Sequence, residues 1–186
     1  GASGEVLPAV KKENFRGELR FKAKYRHRGV AIEGAVSYEN VAAMIDYLPK
    51  NGYNSYFLQF DNSYEFFERW YLHKNNEKLA PEAFDINEIY HKVVSEIKKR
   101  NLILHSVGHG WTAKAVGCDV TGWDKHECEK DNELLALVNG KRKYFKDVPS
   151  NTNLCYSNHA AQEAFANCVA DYAEKHPETD VLHVWL

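Results

Sequence analysis

Residues 102–111 read LILHSVGHGW, and the fold turns on how that run is understood. Leu102, Ile103, Leu104 and Val107 make a short, nearly continuous apolar stretch around His105. That is the pattern of a strand in a parallel sheet covered on both faces. The run then breaks at Gly108, His109, Gly110 and Trp111. Two glycines allow a tight turn, which would bring an imidazole and an indole over the end of the strand. In parallel α/β folds, the C-terminal ends of strands are where sites are built.

The neighbouring segments alternate between strand and helix. Upstream, Asp85 caps a helix with Ile86, Ile89, Tyr90, Val93 and Ile97 as its apolar stripe, and Lys98, Lys99 and Arg100 suit the negative end of its dipole. YNSYFLQF, residues 53–60, is a second buried strand, joined to that helix by a polar, aromatic-rich connection. Before it, Ser37 caps a helix whose face is Val41, Met44, Ile45 and Leu48, and Asn51-Gly52 stops it. GVAIEG, residues 29–34, is a short first strand. GELRFKAKYRHRG, residues 17–29, alternates through Leu19, Phe21, Ala23 and Tyr25 and predicts an exposed edge strand.

Downstream lies a long insertion, residues 108–157. Within it DKHECEKDNELLALV reads as partly helical, and Asn139-Gly140 as a turn between two strand-like arms. Ser157 or Asn158 caps a third helix carrying Ala161, Phe165, Cys168, Val169 and Tyr172, and His176-Pro177 ends it. DVLHVWL, residues 180–186, is a fourth strand. The order β-α-β-α-β-α-β predicts an α/β fold with four parallel strands, as an open sheet or part of a barrel. EGAVSYEN after the first strand does not fit GxGxxG, so a dinucleotide-binding sheet is disfavoured and no cofactor is indicated. What remains is half of a TIM-type (β/α)8 barrel, with helices outside and the insertion after strand three. Residues 1–14 are expected to be an N-terminal tether and 15–186 the barrel segment.

Composition narrows the function classes. The 186 residues carry 24 basic and 26 acidic side chains, which argues against nucleic acid or an anionic membrane as partner. No apolar run approaches a membrane span. Aromatic residues make up 13% of the chain, which suits stacking on sugars and suits an ordinary core at least as well. The four cysteines, Cys118, Cys128, Cys155 and Cys168, are not spaced as a zinc ribbon. Cys118 and Cys128 share one loop region and could form a disulfide if the protein is exported, a pairing the sequence leaves open; Cys168, on an apolar helical face, reads as a buried thiol.

Several segments together resemble a known group. RGVAIEG, YNSYFLQF and LILHSVGHGW are similar to the first three strands of β-N-acetylhexosaminidase-like barrels, where an RG pair opens the first strand and a glycine-histidine turn closes the third. ELLALVNGKRKYF followed by NLCYSNHAAQEAF looks like the signature of a bacterial family of uncharacterised function, related to α-glucuronidase and hexosaminidase barrels. The resemblance runs from about Tyr25 to the C-terminus. It implies a carbohydrate-active barrel, a glycoside hydrolase acting on poly- or oligosaccharides, in an extracytoplasmic location, periplasmic or at the cell surface. In the hexosaminidase relatives the catalytic acid pair follows the fourth strand, so here it is expected beyond Leu186. The alternatives are a non-catalytic sugar-binding domain on the same scaffold, or an interaction domain of a surface assembly.

The candidate site follows from the strand ends. Strand one offers Glu33, strand two Gln59, Asp61 and Asn62, strand three His105, His109 and Trp111, and strand four His183 and Trp185. The substrate-binding set is Arg28, Glu33, Asp61, His109 and Trp111. Arg28, from the RG pair, would contact sugar hydroxyls or form an ion pair at the barrel floor. Glu33 and Asp61 are the only acids at these strand ends; glycosidases need two carboxyl groups flanking the bond, so neither is given a catalytic role. His105, mid-strand, reads as a hydrogen-bonded core histidine, and Trp185 as filling the barrel interior or lining its mouth. A zinc site from His105, His109, Cys118, His126 and Cys128 follows no standard spacing, and no metal is assigned. Lys141–Lys143 would meet an acidic sugar or simply form a solvated hairpin tip. Half a barrel leaves an open inner face, so Ile32, Phe57, Leu104 and Val184 would be exposed if they point inward. Self-association, or docking of a missing C-terminal half, would cover them.

Overall fold

The computed structural model describes residues 22–32, 36–59, 65–79, 85–118, 125 and 133–185. Strand β1 (Gly29–Ile32) leads to helix α1 (Tyr38–Lys50), strand β2 (Ser55–Gln59) and helix α2 (Glu65–Leu72). Helix α3 (Ile86–Lys99), strand β3 (Ile103–Gly108) and the short helix α4 (Trp111–Ala115) follow. A hairpin of β4 (Leu137–Val138) and β5 (Lys141–Arg142), helix α5 (His159–Lys175) and strand β6 (Val181–Val184) complete it.

The main sheet has the order β1-β2-β3-β6, and every pairing in it is parallel. Four parallel strands in chain order are the α/β architecture that the sequence predicts. The helices begin where side chains can satisfy their first amides. Ser37 Oγ accepts from the N–H of Asn40 at 3.1 Å. The Asp85 carboxylate accepts from the N–H groups of Asn87 and Glu88, and Asn158 Oδ1 accepts from that of Ala160.

The main core lies between the sheet and helices α1, α2 and α3. Val41, Ile45 and Leu48 from α1, Tyr56 and Leu58 from β2, Val93 and Ile97 from α3, and Leu104 from β3 are all buried there. Val30 and Ile32 of β1 pack against the same cluster, because they share the pleat of Tyr56 and Leu58 in register. A second cluster joins Val107 and Trp111 to Tyr172 of α5, and a third ties Leu135 and Leu154 of the insertion to Ala161.

Several expectations need correction. Residues 22–28 form no strand, while Leu19 and Phe21 lie outside the described residues; the backbone there is held by Asn54, whose side chain accepts from Arg28 N–H and donates to Arg26 O. The connection after β2 contains α2, whose Phe67 and Tyr71 are buried four residues apart. Glu133–Val138, expected within a partial helix, is a turn leading into β4. Leu104 and Ile32 do not face the open side of the sheet: period-two alternation places them under the helices. Phe57 does face the opposite side, and Val184 is exposed.

Candidate functional site

Strand β3 ends in an unusual backbone. Val107 has φ +76°, Gly108 +81° and Gly110 +108°. A β-branched residue at positive φ costs about 1–3 kcal/mol and persists only where its surroundings impose it. Alternation from His105 would put Val107 on the ring-bearing face, yet Val107 is fully buried beside Trp111 and Tyr172. The reversal turns Gly108 to that face instead. A Cβ on Gly108 would sit 3.0 Å from the Trp185 ring and 3.1 Å from Phe57 Cζ, so only glycine lets those rings close over the strand. Gly110 then opens α4 without a side-chain cap.

These turns separate two groups that adjoin in sequence. Trp111 is 0% exposed, its Nε1–H donates to the His183 carbonyl at 2.9 Å, and its ring meets Tyr172 edge-on. It is therefore a core residue and offers no surface on which a sugar could stack. The exposed indole is Trp185, 38% accessible, with His109 edge-on to it at 4.8 Å. His109 and Trp185 line a cleft of about 230 Å³ together with Gly110, Thr112 and Ser150–Asn153. The far wall is fixed by Thr152, whose Oγ1 donates to Val148 O and accepts from Phe145 N–H. Ser150 Oγ, beside the cleft, is buried with no hydrogen-bond partner among the described residues.

Arg28 is not part of this cleft. Its guanidinium donates to the carbonyls of Gly52 and Tyr25, at the N-terminal ends of the strands. Gly29 beside it is required by packing: a Cβ there would come within 2.3 Å of Ser55 Oγ and 2.5 Å of the Ser55 carbonyl oxygen. The RG pair thus fastens β1 to β2, at the end of the sheet opposite His109. Glu33 and Asp61 lie outside the described residues, as do Asn62, His126 and Cys128.

The face away from α1 and α3 carries a feature that sequence reading missed. His27 Nδ1 lies 3.0 Å from His105 Nε2, and His105 Nδ1 lies 2.8 Å from His183 Nε2. Phe57 stacks on His183 with centroids 4.6 Å apart, and Trp185 meets Phe57 edge-on. Burial, followed by the charges that His183 and His27 can carry, holds His105 below the ordinary imidazole range. Burial, followed by His27, does the same for His183. At the foot of this face Asp180 accepts from Lys98 Nζ and from Leu104 N–H, tying β6 to β3. Burial pushes its carboxyl up, but these hydrogen bonds hold it below the usual carboxylate range. The sequence holds His105 and His183 on two strands of the sheet, but which faces they share is readable only once the register is known, and His27 joins them from the segment before β1.

Cys118 is disulfide-bonded, whereas Cys155 and Cys168 are not. Its partner lies outside the described residues. Among the described residues no group of three or more His, Cys, Asp or Glu side chains is arranged to hold a metal ion, and no helix is long and apolar enough to cross a membrane. Among the described residues the lining of the cleft contains no carboxylate, lysine or arginine. Such a surface hydrogen-bonds and stacks; by itself it supplies no acid pair. No family model, curated protein or solved structure matches the chain.

Proposed function

We propose that the chain is part of a carbohydrate-active protein of the (β/α)8 glycosidase type, and that the His109–Trp185 cleft holds one sugar unit of an oligosaccharide. The observation that carries this reading is the cleft's chemistry. One wall is an exposed indole; the rest is hydroxyl, amide and imidazole from His109, Thr112, Ser150, Asn151 and Asn153. An aromatic face packs against the apolar side of a pyranose, and uncharged donors and acceptors suit its hydroxyls. The buried, unpartnered Ser150 hydroxyl adds a group whose desolvation a ligand would offset. The cleft also stands at the C-terminal ends of β3 and β6, where parallel α/β folds place ligands. Hydrolysis would draw its acid pair from residues other than those lining the cleft. The Cys118 disulfide supports an oxidising, extracytoplasmic location.

The described lining of the cleft, indole, imidazole, hydroxyl and amide with no carboxylate among the described residues, favours, as a second reading, a sugar-binding domain without catalysis. Calorimetric titration with a panel of neutral and acidic oligosaccharides tests the first claim. Binding of a neutral sugar that Trp185→Ala abolishes supports it; binding unaffected by that change, or none across the panel, sinks it. Turnover of aryl glycosides by the 186-residue chain would show that the acids lie within it and overturn the second reading.

A further inference from the structure

The chain of three imidazoles has a proton count that a pair of ordinary surface histidines lacks. Its two N···N contacts use four ring nitrogens: His27 Nδ1, His105 Nε2, His105 Nδ1 and His183 Nε2. Each contact needs one proton between its two nitrogens, one ring donating and the other accepting. Three neutral rings carry three N–H groups, two in the contacts and one outward. A first added proton is accommodated, since His105 can then donate to both neighbours or an end ring can donate both ways. A second cannot be. Five protons on six nitrogens leave at least three on the four contact atoms, so one contact becomes N–H against H–N and must open.

We propose that His27, His105 and His183 form a pH-sensitive clasp, which ties the segment before β1 and the edge strand β6 to β3 and opens on the second proton. The placement supports this. His27 belongs to the stretch before β1, His105 to the centre of β3, and His183 to β6, so the chain spans the ring-bearing face from one edge of the sheet to the other. Phe57 stacks on His183, and the His105 and His183 rings are half-buried, where charge is disfavoured. The charged and titratable groups around the clasp, among the described residues, are few. Arg26 adjoins His27, Asp180 lies at the foot of β6 with Lys98 bonded to it, and His109 stands beyond Trp185. Asp180 favours a charge on His105, but less than burial and the two neighbouring rings oppose it. The closed chain has room for one added proton near Asp180, whereas a second finds no further anion there among the described residues. The consequence lies at the mouth of the sheet: Trp185 directly follows β6, so acid would loosen the wall of the cleft from one side. The clasp does not depend on what the cleft binds.

Imidazole nitrogen NMR and amide hydrogen exchange test it on the whole chain. The three rings are expected to titrate as one coupled system, with the second proton entering below the ordinary histidine value of about 6.5. Protection of residues 22–28 or of Val181–Trp185, corrected for the intrinsic rate, should fall about tenfold per pH unit where the open form holds one more proton. Helices α1 and α3 should keep theirs. His105→Phe removes the middle ring and should leave edge protection low and pH-independent. His27→Phe, a change at an exposed ring, leaves one contact that breaks only when both remaining rings are charged, so the transition should move to lower pH. Three rings titrating independently near the ordinary value, edge protection indifferent to acid down to pH ~5, or a His27→Phe transition that stays where it was would each overturn the clasp.

Discussion

The two faces of the β1-β2-β3-β6 sheet come from the same strands, one residue out of phase. Val30, Ile32, Tyr56, Leu58 and Leu104 point one way and pack under α1, α2 and α3; Tyr56, Leu58 and Leu104 keep almost no accessible surface, and Val30 and Ile32 at the edge are partly buried. Phe57, His105, His183 and Trp185 point the other way and meet each other ring to ring, partly open to solvent. The first face is held by apolar burial, a term proportional to area and indifferent to partner. The second is held by ring geometry and N···N contacts, which depend on protonation. Stability should therefore reside on the helix face, and sensitivity to pH and ligand on the ring face.

The largest expected effect tests the helix face. Leu104→Ala empties a fully buried site and should cost ~2–5 kcal/mol in denaturant unfolding, whereas Phe57→Ala, half-buried on the ring face, should cost clearly less. Equal losses would break the contrast. Next is Gly29→Ala, whose Cβ would collide with the Ser55 backbone; overpacking of this kind costs ~1–3 kcal/mol. A neutral result would mean that β1 and β2 separate more easily than their register suggests. Ser37→Ala removes the α1 cap and should cost ~1 kcal/mol, with Asn at the same position restoring most of it.

The pH dependence sharpens the other half. His105 and His183 lie below their ordinary value in the folded chain. The unfolded chain therefore takes up protons first as pH falls through about 6.5. Their contribution is fully present above that pH and is lost progressively below it. A urea series from pH ~7.5 to ~5 should show the midpoint declining, and the double change His105→Phe, His183→Phe should flatten that decline. A slope unchanged in the double variant would place the acid sensitivity elsewhere. The smallest effect on stability belongs to Trp185→Ala, within ~1 kcal/mol because the ring is partly exposed; its consequence should be read in sugar binding instead.

Local signals were enough for helices α1, α3 and α5. Ser37, Asp85 and Asn158 cap as their side-chain chemistry dictates, and the apolar stripes of α1 and α3 are the ones buried. Asn139-Gly140 forms its turn for the same reason. Helix α2 is hard to read from the sequence because its aromatic and charged residues sit in a polar stretch, although Phe67 and Tyr71 are spaced one turn apart. For Arg28 the sequence leaves both sugar contact and a structural role open, because it does not distinguish an arginine held by carbonyls from one held out to a ligand.

What the sequence determined by itself, then, is everything governed by neighbours within a turn or a strand: caps, stripes, turns, and the strand–helix alternation that demands a parallel sheet. Which indole is buried and which is exposed was decided by the tertiary structure. Trp111 and Trp185 are equally apolar and both follow a strand; the positive φ at Val107 and the bare Gly108 send one into the core against Tyr172 and leave the other over the cleft. The same holds for His27, His105 and His183, separated by 78 residues at each link: register sets the rings of His105 and His183 on one face, and the segment before β1 brings His27 to them. A one-residue shift of any of these strands would turn its ring to the opposite side.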